Sequence, residues 1–236
     1  GAIAPTNAPV ADGKTGIPAR ENPRLKALRA AEALPGLREE FSRLHDEVAS
    51  GLAQVPEGFS PSAGWLSSAM ERIDAAQKTA LDAATQLRVL TLVGHDGRPI
   101  GGDRISPALA NVCAALAYVL SLAESTKITL GKTTHRNATP SRNSEGLDFA
   151  LEMLRESGKR DLESKDPLVR VDGRSTLAAA DVVALDHAAN PSEAAKALAV
   201  QLLDVGAFTL DAAAPDAERL VRQLRKLIEN DLDSAD

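Results

Sequence analysis

Four segments of the chain begin with Ser or Asn directly followed by Pro, and each continues as an apolar run with helical spacing. The pairs are Asn22-Pro23, Ser60-Pro61, Ser106-Pro107 and Asn190-Pro191. A Ser or Asn side-chain oxygen accepts an unpaired backbone N–H at the N-cap of a helix. Pro fits the first helical position because the N–H that it lacks would have no partner there. This repeated pattern predicts an all-α fold.

Composition supports the same fold class. Hydrophobic residues make up 44% of the 236 residues but aromatic residues only 3%, so the core must consist of Leu, Val, Ile and Ala. Such side chains suit closely packed helices, whereas a β-sandwich would use more aromatic residues. We expect a flexible leader over residues 1–21 and a single helical domain over residues 22–236, with a subdomain break considered within 158–175.

Apolar periodicity and helix-start signals predict a bundle of about seven to eight helices. The predicted ranges are 23–34, about 37 to Pro56, Ser60 to Gly94, 106–123, 144–157, 176–188, 191–205 and 214–230. The segment 106–123 is apolar on nearly every face, which predicts a buried central helix. Leu168–Val171 has a modest strand-like pattern but is too short to found a sheet. Asn190 to Glu193 matches a capping box, in which Glu193 reaches back to the N–H of the cap residue.

The loop before the predicted central helix, residues 94–106, contains four glycines together with Arg98 and Arg104. Glycines permit backbone N–H groups to converge on an anion, and a helix N-terminus favours negative charge. Arginine side chains would add charge-assisted hydrogen bonds. The loop is therefore a candidate anion site, with an ordinary helix–helix connection as the alternative.

A second loop is predicted over residues 125–144, at the other end of the central helix. It contains four basic residues and no Asp or Glu, a local charge of +4 in a chain of net charge −6. The candidate binding residues are Lys127, Lys132, His135, Arg136 and Arg142. This charge contrast predicts a docking site for an acidic partner or a phosphate, with a solvated connection as the alternative.

Other classes of site find little support. The net negative charge disfavours nucleic acid as a partner. Cys113 is the single cysteine and lies in an apolar run, so we interpret it as a small buried side chain and not as a nucleophile. The four histidines are isolated from other metal-ligating residues, so no metal or cofactor is predicted. No run reaches the roughly 18 apolar residues typical of a membrane span.

We expect a helical protein–protein interaction module that binds a partner protein with an acidic surface, and no catalysis is predicted. Ala-rich helices and a leader that begins with Gly fit a fragment of a bacterial secreted effector or virulence-associated protein, located in the bacterial cytoplasm or in a host cell. Two alternatives stay open. Arg104 would serve as an arginine finger in a regulator of a small GTPase, or the basic last helix would bind a membrane surface. Oligomeric state is not predicted.

Overall fold

In the computed structural model, which describes residues 22–134, 144–188 and 190–234, those residues form helices and short connections without a β-strand. The helices are α1 (Pro23–Glu32), α2 (Leu34–Ala53), α3 (Ala63–Arg88), α4 (Ser106–Lys132), α5 (Ser144–Leu162), α6 (Pro167–Leu185) and α7 (Pro191–Ser234). A short 3-10 turn over Val89–Thr91 follows α3. The prediction of an all-α fold is therefore confirmed.

The Ser-Pro and Asn-Pro pairs locate helix starts to within a turn but do not always supply the cap. Asn22 caps α1, because its side-chain oxygen accepts the N–H of Arg24 at 2.9 Å. The cap of α3 is Ser62, two residues after the predicted start, and its hydroxyl accepts the N–H of Trp65 at 3.2 Å. Helix α4 begins at Ser106 itself, so Ile105 occupies the N-cap position.

Helix α7 begins at Pro191, as predicted, and the Glu193 of its predicted capping box makes contacts outside the first turn. The Glu193 carboxylate accepts hydrogen bonds from the backbone N–H of Gly58, at 2.9 Å, and from the Lys196 ammonium, at 2.6 Å. Glu193 therefore ties the α2–α3 connection to α7. Lys196 is buried, with 9% of its side chain exposed, so this carboxylate is its main charge partner.

Leu168–Val171, the stretch with a modest strand-like pattern, lies in the first turns of α6. Asp166 caps this helix by accepting the N–H of Leu168 at 2.9 Å, and Pro167 follows it in the first helical position. Asp166-Pro167 therefore starts a helix in the way that was expected of the Ser-Pro and Asn-Pro pairs. Helix α6 consequently starts nine residues earlier than the predicted range 176–188.

Helix α7 packs against α1, α2, α4 and α6. Its 44 residues form one continuous helix, although two helices were predicted over 191–205 and 214–230. Pro215 lies inside the helix and removes one backbone hydrogen bond, which costs about 3 kcal/mol in an ordinary helix. Buried side chains continue on both sides of it, from Leu210 to Leu220, and their packing offsets that cost.

The expectation that the segment 106–123 forms the centre of the bundle is not confirmed. Helix α4 packs against α3, α6 and α7 and continues to Lys132, but Ala110 and Ala117 on its remaining side are exposed. Alanine raises the apolar content of a helix without needing to be covered, so an apolar composition does not require burial on every side. Together with α6 and α7, α4 also encloses a second, smaller cluster around Leu122, Leu185 and Leu202.

Two helical stretches in the described residues, Pro107–Lys132 and Pro191–Asp231, are long and apolar enough to cross a membrane by length and composition. Around half of the most apolar stretch in each is buried inside the fold. Core helices of a soluble protein have the same property, so this observation is weak evidence for a membrane span.

Helices α5 and α6 form an antiparallel hairpin that two glycines bring together. A Cβ atom on Gly158 would lie 2.9 Å from the carbonyl oxygen of Gly173, and a Cβ atom on Gly173 would lie 2.7 Å from that of Gly158. Real Cβ atoms are essentially never found so close to another heavy atom. Both positions therefore require glycine, despite its cost of about 1 kcal/mol within a helix.

We expect the substitution Gly158→Ala to destabilise the hairpin by about 1–3 kcal/mol, because the added methyl group must push two backbones apart. Chemical denaturation together with hydrogen exchange of the α5 amides would measure the effect. Gly146→Ala is the matched control, since Gly146 lies on the same helix with nothing within 4 Å of its Cβ position. Equal stability of the two variants would contradict a close glycine contact.

We also expect Glu193→Gln to destabilise the fold by about 1–2 kcal/mol at neutral pH, because the buried Lys196 loses its charge partner. The Lys196 ammonium, and secondly the Gly58 N–H, hold the pKa of Glu193 below its ordinary value. The unfolded chain thus takes up the proton first, and this stabilisation disappears as the pH falls through the lowered pKa. Urea denaturation of both proteins across the acidic range would show their difference shrinking.

Glu57→Gln is the control for this experiment, since Glu57 is an exposed carboxylate next to Gly58 in the same connection. A difference between wild type and Glu193→Gln that stays constant from neutral to acidic pH would argue against the ionic anchor.

Candidate functional site

The glycine-rich segment 94–106 forms a turn in which five backbone N–H groups donate to carbonyl oxygens of the turn and of the residues just before it. The amides that donate to carbonyl oxygens between residues 90 and 99 are those of Gly94, Gly97, Ile100, Gly101 and Gly102. Arg24 of α1 holds the turn in place by donating to the carbonyl oxygen of Ile100 at 2.6 Å. These amide groups are therefore not available to cradle an anion.

Both arginines of this turn are exposed, and neither has an ion-pair partner among the residues that the structure describes. The carbonyl oxygen of Arg104 accepts a hydrogen bond from the Gln223 side chain at 3.4 Å, which leaves its guanidinium free. Arg98 donates its backbone N–H to the Asp96 carboxylate at 3.0 Å. A binding role for Arg98 and Arg104 stays a prediction.

The predicted basic loop over residues 125–144 has the wrong boundaries, because α4 continues to Lys132. Lys127 donates to Asp74 at 2.7 Å and to Glu124 at 3.0 Å, and Lys132 forms an ion pair with Asp186. These two lysines therefore join α4 to α3 and to the end of α6.

The remaining candidates of this segment, His135, Arg136 and Arg142, lie outside the described residues.

The sequence did contain a signal for the extension of α4 to Lys132, since Ile128 and Leu130 continue the apolar pattern of this helix. Buried threonines were missed as helical residues: Thr126 and Thr129 bond to the carbonyl oxygens of Leu122 and Ser125, both at 2.7 Å. Such back-bonding satisfies a buried hydroxyl within its own helix.

A cavity of about 390 Å³ lies where the junction of α1 and α2 meets α4 and α7. We call it the elbow groove. Its floor is formed by α4, and its two walls by α7 and by the α1–α2 junction. The apolar lining residues include Val112, Ala115 and Leu116 on the floor, Leu210, Ala213, Ala214 and Ala217 on α7, and Ala31, Leu34 and Pro35 at the junction. The volume falls within the range of ligand-binding pockets.

Small side chains create this space. Ala213, Ala214 and Ala217 occupy the α7 wall at positions where Leu would fill the groove, and Ala115 does the same on α4. A single residue, Ala33, separates α1 from α2 at this junction. The groove thus forms where alanines from three helices meet. The apolar pattern of a single helix in the sequence does not predict such a groove.

Charged side chains surround the opening of the elbow groove. Arg225 forms an ion pair with Glu32 at 2.9 Å, and Arg38 forms one with Asp211. Arg222 and Glu218 also line the opening, and neither has an ion-pair partner within the described part of the chain. A ligand with an apolar body and at least one acidic group would pack its apolar part on the floor and form a charge-assisted hydrogen bond with Arg222.

Cys113 borders a different, more open groove of about 860 Å³ between α4 and the end of α3, together with Arg88 and Leu92. It is half-buried, and burial raises the pKa of its thiol, an effect that the positive charge of Arg88 only partly opposes. A raised pKa keeps the thiol protonated, which agrees with its interpretation as a packing residue. The described residues contain no group of His, Cys, Asp and Glu that could hold a metal ion.

Comparison of the chain with known protein families, with curated proteins and with solved structures finds no match. The candidate site therefore rests on geometry and chemistry alone. Of the features described above, the elbow groove combines an apolar cavity with convergent charged groups, which is the usual composition of a binding site.

Proposed function

We propose that the chain is a helical protein–protein interaction module whose elbow groove receives an amphipathic helix of a partner protein. The observation that carries this proposal is an apolar cavity with a charged opening at the meeting point of α1, α2, α4 and α7. Helix-in-groove binding uses such a surface: apolar side chains of the bound helix enter the groove, while its charged edges meet the rim.

The dimensions of the groove support a helical ligand. Its lining residues on α7 extend from Leu210 to Arg225, which corresponds to about 22 Å along the helix axis. A bound helix of similar length would have about 15 residues and would place apolar anchors at the spacing of successive turns.

The charges at the rim support an acidic edge on that helix. Arg38 and Arg225 already have acidic partners, which keeps their side chains beside the opening. Arg222 lacks one within the described residues, so a carboxylate of the partner would complete its hydrogen bonding. The acidic partner expected from the sequence is thus retained, with the groove in place of the basic loop as its docking site. A bacterial effector is retained as the proposed source.

We expect a displayed library of amphipathic helical peptides of about 15 residues to yield binders that depend on the groove. Ala214→Leu would fill part of the cavity and weaken these binders by about tenfold or more. Ala197→Leu is the matched control, because Ala197 is exposed on the same helix away from the elbow groove. Binding is measured with the purified full chain by fluorescence anisotropy.

The acidic edge is tested separately with Arg222→Glu, which we expect to weaken peptides that carry an acidic edge by about fivefold. Arg219→Glu is its control, since Arg219 is exposed on α7 and does not line the groove. Selected peptides that bind Ala214→Leu as tightly as the wild-type chain would exclude the groove as the docking site.

A further inference from the structure

Helices α4 and α6 lie side by side, and two polar contacts fix their relative position. The Tyr118 hydroxyl donates a hydrogen bond to the Asp172 carboxylate at 2.8 Å, and the Lys132 ammonium forms an ion pair with Asp186 at the end of α6. In both contacts the two residues are 54 positions apart in the chain. The two helices therefore run in the same direction, and each residue of α4 lies at the level of the residue 54 positions later.

Between these two contacts the facing positions of α4 and α6 carry small side chains. Ser121 on α4 lies at the level of Ser175 on α6, and Ser125 lies at the level of Ala179. These four residues line a cavity of about 60 Å³ between the two helices, and Leu202 of α7 lines it as well. The cavity shares no lining residue with the elbow groove, so an inference about it is independent of the proposed function.

The hydroxyl oxygen of Ser175 is buried beside this cavity and has no hydrogen-bond partner among the described residues. Leaving a buried hydroxyl unbonded costs free energy, and buried polar groups of folded proteins are nearly always satisfied. The hydroxyl groups of Ser121 and Ser125 form no hydrogen bond with that part of the chain either. The gap between the two helices is therefore too wide for these serines to bond to each other directly.

We propose that this cavity is a binding site for internal water, which bridges Ser175 on α6 to Ser121 and Ser125 on α4. A buried water molecule makes about three hydrogen bonds and takes up about 30 Å³, so the cavity has room for about two. No lining residue is charged, so the site offers no counter-charge to an ion. The volume is also far below the roughly 300 Å³ at which pockets for small organic molecules begin.

The water bridge completes the contact between α4 and α6. A water-mediated hydrogen bond is nearly as favourable in enthalpy as a direct one, so it connects the helices at the level where their side chains are too short to meet. Within the described residues α5 packs against α6 alone. The bridged contact therefore also helps to hold the α5–α6 hairpin on the rest of the bundle.

Oxygen-17 magnetic relaxation dispersion of the full chain in solution tests the site, because it counts long-lived internal water molecules and does not respond to exchange of hydroxyl protons. Ser175→Val replaces the buried hydroxyl with methyl groups that fill most of the cavity. The dispersion should then fall by the equivalent of about one to two water molecules. Thr176→Val is the matched control and should leave the dispersion unchanged, because Thr176 is the next residue of α6 and does not line the cavity.

Ser125→Val fills the same cavity from α4 and should cause the same loss, so the test does not depend on the folding of one variant. Circular dichroism verifies that each variant keeps its helix content. A crystal structure of the wild-type chain should show an ordered water molecule within about 3.2 Å of the Ser175 Oγ atom. Unchanged dispersion in both serine variants, an equal loss in Thr176→Val, or a crystal structure well ordered at Ser175 without that water would each overturn the proposal.

Discussion

The packing of α7 against four other helices is the contact on which the rest of this fold depends. Leu202 and Leu203 in its first half and Leu220 and Leu224 in its second are almost completely buried. Each buried leucine contributes about 1.5–3 kcal/mol relative to an exposed one, so together these side chains outweigh the hydrogen bond lost at Pro215. One continuous helix can therefore connect the α1–α2 junction, α4 and α6. The same continuity makes the elbow groove possible, because its α7 wall extends across the proline.

Alanine has two roles in this chain, and they explain why an apolar sequence leaves open space. Where Ala faces a large neighbour, as Ala76 and Ala80 do in the main core, it permits close approach of helices and is fully buried. Where alanines from α1, α4 and α7 face one another, no side chain is long enough to fill the gap, and the elbow groove results. The chain has few aromatic residues that could close such a gap. A core built from Leu and Ala is thus predisposed to retain grooves between its helices.

Much of the helical architecture could be predicted from local chemistry, and the candidate site could not. Asn22 indicates the start of α1, and the apolar pattern of α2 indicates the buried side of that helix. Each depends on residues of one helix, so it could be interpreted without knowledge of the fold. Two helices were expected over 191–205 and 214–230, with Pro215 near the start of the second, because local rules do not include the packing that sustains α7 on both sides of this proline. Glu193 was expected to cap its helix, and the capping-box pattern says nothing of its bond to Gly58, which comes from a distant segment. The elbow groove combines positions from four helices, a relation that no single stretch of sequence contains.

The elbow groove and helix α5 differ in how firmly the fold holds them. The elbow groove belongs to the main core, where α1, α2, α4 and α7 meet, so its shape is fixed by packing. Helix α5, by contrast, is joined to that core through α6 alone within the described residues. A groove held by core packing loses little conformational freedom when a ligand binds. A partner helix that fits the apolar floor and the charged rim would therefore bind the elbow groove at a low entropic cost.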